Sequence, residues 1–397
     1  MGLRMSDWKP ASLGELITLQ RGFDITKATQ GKGSYPVVSS GGISSYHDQF
    51  MVMGPGVVIG RKGTLGTTFF VAENYWPHDT TLWVKDFKGN DERFVYYLLK
   101  ILRLERLDSG SANPTLNRNY AHLLRVAAPK KDVQQKIAVV LTTLEAKIDL
   151  NNRINAELEA LAKTVYDYWF VQFEFPDSNG RPYRSSGGAM VWNEALRREV
   201  PEGWEVGSLD SLGRIVGGST PSTTNPDHFG NGVPWITPKD LSNNKGNKFI
   251  ARGETDVTEQ GMKSASLSVY PAGTVLMSSR APVGYLAIAL NPVTTNQGFK
   301  SFVPSKGYAT AFVYYAVERS LPAIIQYASG STFVEISGGV LKSVQSVLPD
   351  KKVANAFCQV IEPIVDRQRT AELENRELTR LRDWLLPLLM NGQVRVT

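Results

Sequence analysis

The stretch DVQQKIAVVLTTLEAKIDLNNRINAELEALAKTVYDYWFV, residues 132–171, decides the fold. It contains neither proline nor glycine, the residues that most readily end a helix. Ile137, Leu144, Asn151, Leu158 and Val165 recur every seven residues, and Leu141, Ile148, Asn155, Ala162 and Trp169 form a second row of the same period. Two such rows, offset by four or three, make the seam of a coiled coil. Asn151 and Asn155 interrupt the apolar seam near its middle, where polar residues fix register and partner at some cost in stability. A helix of this length extends about 60 Å and cannot bury its seam alone.

The chain supplies a partner in residues 352–386. There Phe357, Ile364, Ala371, Leu378 and Leu385 repeat every seven. Val353, Val360, Leu381 and Leu388 lie beside them, with Arg367 and Glu374 falling on that second row. Pro363 is expected to kink this helix or mark an irregular turn. Two ordinary amphipathic helices in separate cores are the alternative. Length favours the coiled coil, because most globular helices run only about 10–14 residues.

The rest of the chain is an internal repeat. Ser12-Leu13-Gly14-Glu15-Leu16 echoes Ser208-Leu209-Asp210-Ser211-Leu212, Gly22 matches Gly218, and Pro36 matches Pro234. Gly56-Val57-Val58-Ile59, through Arg61 to Gly66, echoes Gly273-Thr274-Val275-Leu276, through Arg280 to Gly284. Phe94-Val95-Tyr96-Tyr97 recurs as Phe312-Val313-Tyr314-Tyr315, and Ser109-Gly110-Ser111 as Ser329-Gly330-Ser331. Pro129 matches Pro349, and a long helix follows each. The expected organisation is a globular domain at 6–130, a helix at 131–172, a connecting loop at 173–200, a second domain at 201–349 and a second helix at 350–390. The two glycine-led apolar runs read as buried strands, and the two Phe-Val-Tyr-Tyr segments as amphipathic helices. In the connecting loop, Tyr183, Val191 and Trp192 suggest packing against the remainder.

Composition sets limits. The 397 residues suffice for two or three domains. One cysteine, Cys358, excludes an internal disulfide and reads as cytoplasmic, and its place beside an apolar row suits a packed hydrophobe better than a nucleophile. No apolar run approaches the roughly 20 residues of a membrane span, and Met1 to Trp8 lacks a signal-peptide core. The net charge of +6 permits nucleic-acid binding without requiring it. Two equivalent domain-plus-helix halves pack most simply about a pseudo-twofold axis, with antiparallel helices and a head at each end of a rod.

Over essentially its whole length the chain resembles the specificity subunit of type I DNA restriction-modification enzymes. The residues that carry the resemblance are Tyr166 to Pro176, Pro182 to Gly188, Arg198 to Trp204, Ser278 to Gly284, Thr295 to Phe299 and Leu386 to Gly392. The resemblance implies an α+β chain with two similar mixed α/β target-recognition domains, separated by a long antiparallel two-helix coiled coil. Each domain would read one half of a bipartite, asymmetric site in double-stranded DNA. The helix pair would set the gap and dock two modification subunits, which carry S-adenosylmethionine. Through these it would reach restriction subunits, which use ATP and Mg. This chain itself would need no cofactor. Pro77-His78-Asp79-Thr80-Thr81 stands where the second domain has Thr295-Asn296-Gln297-Gly298-Phe299, a departure from the family's pattern by which the two heads look like different recognition subtypes.

Candidate DNA contacts fall in polar loops. Arg61 and Arg280 follow buried strands and can reach a phosphate or pair bidentately with guanine; a structural tie between loops is the other reading. Lys62 has no counterpart in the second loop, and phosphate contact and a solvated charge stay open. Thr64, Ser278 and Ser279 belong to the same two loops. Thr237, Lys239 and Asp240, with Ser39 and Ser40 as counterparts, form a polar turn, and Ser219, Thr220 and Arg21 lie in similar loops. Simple turn chemistry competes with DNA contact at each. Asn296 and Gln297 could pair with adenine or brace the fold, and His78 is their counterpart. For the two Ser-Gly-Ser segments turn geometry is the safer reading. The four histidines show no ligand spacing, so no metal site is expected.

A self-sufficient DNA methyltransferase would need an Asn/Asp-Pro-Pro-Tyr/Phe tetrad. Asn113-Pro114-Thr115, Asn225-Pro226-Asp227 and Asn291-Pro292-Val293 all lack the second proline and the aromatic. Gly60 to Gly66 is not a phosphate loop, because no Lys-Ser/Thr pair follows its last glycine. Pro349-Asp350-Lys351-Lys352 opens a helix, where Asp350 as a cap is the ordinary explanation. A scaffold for proteins alone would fit the rod but not the basic heads. The expected protein is therefore a non-catalytic, DNA-reading subunit.

Overall fold

The computed structural model describes residues 8–107, 115–280, 282–328 and 335–396. The two Ser-Gly-Ser segments and Ala281 lie outside these. The chain divides into two compact units, residues 1–149 with 376–397 and residues 150–375.

Two long helices run through both units, Lys131–Tyr166 and Lys351–Met390. In the first unit the start of the first long helix shares a core with the end of the second, through Ile137, Leu141, Leu389 and Met390. In the second unit Ala162 and Tyr166 share a core with Phe357 and Ile361. The pairing is antiparallel. Both heptad rows of the first helix face inward as the sequence suggests: Ile137, Leu141, Asn151, Asn155, Ala162 and Trp169 are buried and the rest half-buried.

The second helix departs from the expected pattern in one row. Phe357, Ile364, Ala371, Leu378 and Leu385 do face inward. Val360, Arg367 and Leu381 are exposed. Their place is taken by Ala354, Ile361, Gln368, Asn375, Arg382 and Leu389, one residue further on and also spaced by seven. Apolar character points to Val360 and Leu381; Gln368 and Asn375 are nevertheless buried because the facing helix offers them polar partners. Asn151 Nδ2 donates to Asn375 Oδ1 at 2.9 Å and to Glu374 Oε2 at 2.8 Å, and Asn375 Nδ2 donates to Asn152 Oδ1 at 2.8 Å. Gln368 Nε2 donates to Asn155 O at 3.3 Å and to Glu159 Oε2 at 3.0 Å.

Pro363 neither ends nor interrupts its helix. It and Gln359, whose carbonyl loses a donor, are both exposed, so water can serve that carbonyl. The irregular turn lies instead in the continuation of the first helix, where Asp167–Val171 is π-helical. This turn delivers Trp169 and Phe170 into an aromatic cluster, with Phe170 5.0 Å from Phe312 and 5.1 Å from Phe357 between ring centres. The following segment is not simply a loop. It contains the hairpin Met190–Asn193 and Arg198–Pro201, and Tyr183 stacks on Phe175 at 4.6 Å. Val191 and Trp192, expected to pack, are exposed.

The globular parts share one plan. In the first unit, strands Thr18–Arg21, Thr81–Asp86, Gly56–Gly60 and Thr68–Val71 lie side by side in that order. In the second, Arg214–Val216, Ser301–Val303, Val275–Met277 and Leu286–Ala289 repeat the order, and Phe249–Ile250 adds a fifth strand at the edge. Beside each lies a three-stranded sheet. Val37 and Val38 pair in parallel with Trp76 and Pro77, as Trp235 and Ile236 do with Thr294 and Thr295. The Phe-Val-Tyr-Tyr segments lie in the helices Glu92–Ile101 and Thr310–Ala328. Asp91 caps the first of these by accepting Phe94 N at 2.9 Å, and Phe94, Val95, Tyr97, Leu98 and Leu99 form its buried face.

One seam side chain has no polar partner. Both amide atoms of Asn155 are buried and unbonded. Following the repeat from Pro129 and Pro349, Asn155 corresponds to Asn375, whose partners Asn151 and Asn152 correspond to Ala371 and Glu372. Ala371 has no polar side-chain atom, and Glu372 is engaged by the backbone amides of Lys248 and Phe249. A buried unsatisfied polar group costs about 1–3 kcal/mol. Asn155→Leu is therefore expected to stabilise the protein, and Asn151→Leu, which removes the donor to Asn375 Oδ1 and to Glu374, to destabilise it, each by about 1–3 kcal/mol. Chemical denaturation of the two variants beside the parent checks the opposite signs.

Candidate nucleic-acid interface

In each unit, four loops meet at one end of the sheets, and main-chain hydrogen bonds hold them. In the first unit Phe23 N donates to Pro77 O at 2.8 Å and His78 N to Val38 O at 2.9 Å. Arg61 N and Lys62 N both donate to Thr80 O, at 2.8 and 3.0 Å, and Leu116 N donates to Arg61 O at 2.9 Å. In the second unit Ser219 N donates to Thr295 O at 3.0 Å, Asn296 N to Ile236 O at 3.1 Å, Ser279 N to Gly298 O at 2.8 Å and Ile336 N to Ser279 O at 2.9 Å. Gly22 and Gly218 sit so close beneath the two turns that a Cβ would overlap the carbonyls of Pro77 and His78, or of Thr295 and Asn296. Only glycine admits that approach.

These bonds place the two halves in register atom by atom. Gly60 N donates to Thr67 O and Gly66 N to Gly60 O; Ser278 N donates to Tyr285 O and Gly284 N to Ser278 O. Gly60 thus corresponds to Ser278, Arg61 to Ser279 and Lys62 to Arg280. The sheet agrees, since Val57 faces Phe70 as Val275 faces Ile288. The match of Arg61 with Arg280 read from sequence is one residue out, as is that of Gly56 with Gly273. Lys62 does have a counterpart, and it is Arg280.

This changes the roles of several residues. Arg61 is half-buried and its Nη1 donates to Asp79 O at 3.4 Å, which ties two loops together. Ser279, at the same position, is wholly buried. Ser278 is buried too, its Oγ donating to Pro282 O at 2.8 Å and accepting Tyr285 N at 2.9 Å. Both serines are thus buried rather than presented to solvent: Ser278 Oγ shapes the turn, and Ser279 Oγ is enclosed without a hydrogen-bond partner while its main chain bonds Gly298 and Ile336. Asp240 is likewise buried. Its Oδ2 accepts Thr237 N and Oγ1 at 2.8 and 2.6 Å and its Oδ1 accepts Glu254 N at 2.8 Å, so Asp240 and Thr237 form a capping box.

The exposed members remain available. Lys62 is exposed and makes no ion pair with any described residue. The Arg280 side chain keeps 37% of its surface, and the carboxylate nearest to it, Glu335, is 3.8 Å away. Gln297 is exposed and bonded to Thr220 Oγ1, while Asn296 Oδ1 accepts Gly298 N at 2.9 Å and so braces its own turn. Ser219 O accepts Trp235 Nε1 at 3.1 Å. Lys239 pairs with Glu254 at 2.8 Å; both are largely exposed, and the bond raises the lysine pKa above its ordinary value. In the first unit Arg21 is compensated by Asp24 at 2.7 Å and Asp79 at 3.2 Å. His78 Nδ1 lies 2.9 Å from Asp79 Oδ1 and 3.0 Å from Thr80 Oγ1. Ser39 Oγ donates to Gly42 O at 3.0 Å, Ser40 N to Thr80 Oγ1 at 3.4 Å, and Thr64 is exposed.

Asp79 and Thr80 belong to the Pro77 to Thr81 run but not to the candidate contacts read from sequence, yet Asp79 joins Arg21, Arg61 and His78, and Thr80 joins Ser40, Arg61 and Lys62. Their signal was the polar His-Asp-Thr run beside a proline, a turn composition. Among the described residues no group of histidine, cysteine or acidic residues could hold a metal ion. Burial pushes the Cys358 thiol up to about 11, so it is protonated at neutral pH. No helix among the described residues is long and apolar enough to cross a membrane.

Comparison with known proteins places this geometry. A family model described as the type I restriction modification DNA specificity domain matches twice, over residues 5–160 and 201–375. The MjaIX specificity subunit of Methanocaldococcus jannaschii is 37% identical over 195 residues, 47% of this chain and 45% of that one. The HindI specificity subunit of Haemophilus influenzae is 26% identical over 339 residues, 71% of each chain. The match thus spans less than half the length of the first relative. The crystal structure of a type I restriction-modification S subunit from M. genitalium shares the fold, with a TM-score of 0.65 and 16% identity over 100% of this chain and 99% of that one. The two domain matches together cover most of the sequence, and the chain belongs to the family of type I restriction modification DNA specificity domains.

Proposed function

We propose that this chain is the DNA-reading subunit of a type I restriction-modification enzyme, and that each unit carries one recognition head. One observation carries the reading: both units build the same main-chain cradle and present a cation, Lys62 or Arg280, at the same place on it. Around that cation the side chains differ, with Phe23, His78 and Asp79 in one unit and Ser219, Asn296 and Gln297 in the other. A shared cradle with unlike side chains is what two heads reading unlike half-sites require. Phosphate contacts position a protein on the duplex and base contacts specify the sequence.

The chain works in this reading without catalysis or cofactor of its own. Modification subunits bring S-adenosylmethionine, and restriction subunits bring ATP and Mg. The long helices offer docking surface, since Val139, Leu150, Leu161, Leu373 and Trp384 are exposed apolar residues on them. The antiparallel pair acts as the spacer between heads.

Methylation assays of the chain alone with S-adenosylmethionine are expected to be blank, and those with its modification subunit to map a bipartite site; turnover by the chain alone would place it among enzymes. Lys62→Ala and Arg280→Ala should each weaken DNA binding about tenfold or more, corresponding to about 1–3 kcal/mol, each at a different half-site. Binding to duplexes altered in one half-site at a time reads this out. Lengthening the first long helix by one turn, about 5.4 Å, should shift the tolerated gap by about one or two base pairs. An unchanged gap would refute the spacer.

A further inference from the structure

The second domain has a device with no counterpart among the described residues of the first. Between the paired strands of its smaller sheet, Phe229–Ile236 and Thr255–Val257, the connection runs through residues 237–254, where the first domain, between Tyr35–Ser39 and Gly42–His47, needs only 40–41. The longer connection supplies the fifth strand, Phe249–Ile250, which lies at the edge of the larger sheet beside Leu286–Ala289. An edge strand leaves main-chain N–H groups unpaired. Here Glu372 of the second long helix accepts Phe249 N of the strand at 3.0 Å and Lys248 N, just before it, at 2.7 Å.

The side chain of Lys248 completes the attachment. It is 3% exposed, and its ammonium lies 2.6 Å from Glu159 of the first long helix and 2.9 Å from Gln368 of the second. It also bonds the Tyr315 hydroxyl and lies 4.5 and 5.0 Å from the ring centres of Tyr315 and Tyr314. Burial lowers the pKa of Lys248. Burial raises that of Glu159, but Lys248 and Gln368 oppose it, and the net shift is downward. Lysine is rarely buried without a paired charge. One residue therefore joins the domain to both helices at once. The first domain holds its helix otherwise, with Gln134 bonding Asn90, Asp91 and Pro129 and with Tyr97 and Lys100 on Glu145.

We propose that Lys248, with the edge strand it opens, is a positioning residue that fixes the second recognition domain on the helix pair and thereby sets how sharply the gap between half-sites is read. The inference rests on the proposed function and concerns the gap alone. Neither Lys248 nor Glu159 belongs to the recognition loops, so base readout is untouched by their loss.

The test uses the full chain with its modification subunit. The parent complex first maps the two half-sites and the gap; no bipartite site at this step would overturn the proposed function itself. Methylation is then measured on duplexes whose gap is one or two base pairs longer or shorter. Lys248→Met combined with Glu159→Gln removes both buried charges and avoids stranding either. Relative to the native gap, modification at wrong gaps should rise at least tenfold, while discrimination against altered half-site bases stays within twofold of the parent. Glu372→Gln, which keeps one acceptor, should shift the gap profile in the same direction, about threefold, and serves if the double variant does not fold. A gap profile identical to the parent's in a folded variant, or equal loss of gap and base discrimination, overturns the proposal.

Discussion

The structure depends on a polar contact in the middle of an otherwise apolar seam. Asn151, Asn152 and Asn375 exchange hydrogen bonds across the two long helices, and Gln368 reaches the backbone of Asn155 and the carboxylate of Glu159. Leucine and alanine would pack against one another in several registers. An amide with an amide opposite it has one setting, because any slip leaves buried donors and acceptors unpaired. The seam therefore trades some stability for a defined register, and Asn155 shows the trade in unrelieved form.

Much of this was legible in the sequence. Helices without glycine and with a seven-residue period announce themselves, and ordered signposts such as Gly22 with Gly218 or the two Phe-Val-Tyr-Tyr segments reveal the duplication. These signals are strong because they rest on backbone constraints. The strand Gly56–Gly60 is wholly buried, as an unbroken apolar run requires.

The illegible part is wherever a polar residue is buried. Gln368 and Asn375 were passed over in favour of Val360 and Leu381, because one helix does not show what the other offers it. Ser278, Ser279 and Asp240 read as contact residues and are buried, Ser278 and Asp240 shaping turns, since a hydroxyl or carboxylate looks alike whether it faces solvent or the protein interior. Lys248, in a Lys-Gly-Asn-Lys run, has every appearance of a solvated loop residue until Glu159, Gln368 and Tyr315, remote in sequence, are brought to it. The offset between Arg61 and Arg280 has a different cause. Matching two arginines by type ignores the pleat, and a shift of one residue turns every side chain to the opposite face.

The cradle of each head is built almost wholly from amides and carbonyls, with glycine where two backbones touch. Such a frame is indifferent to most of the side chains it carries. On the proposed function, new specificities could then arise by exchange of surface residues, with little danger to folding, and the same scaffold would be a reusable reader whose alphabet is rewritten while its grammar stays fixed. A lysine in one copy and an arginine in the other, on matching amides, are two spellings of a single position.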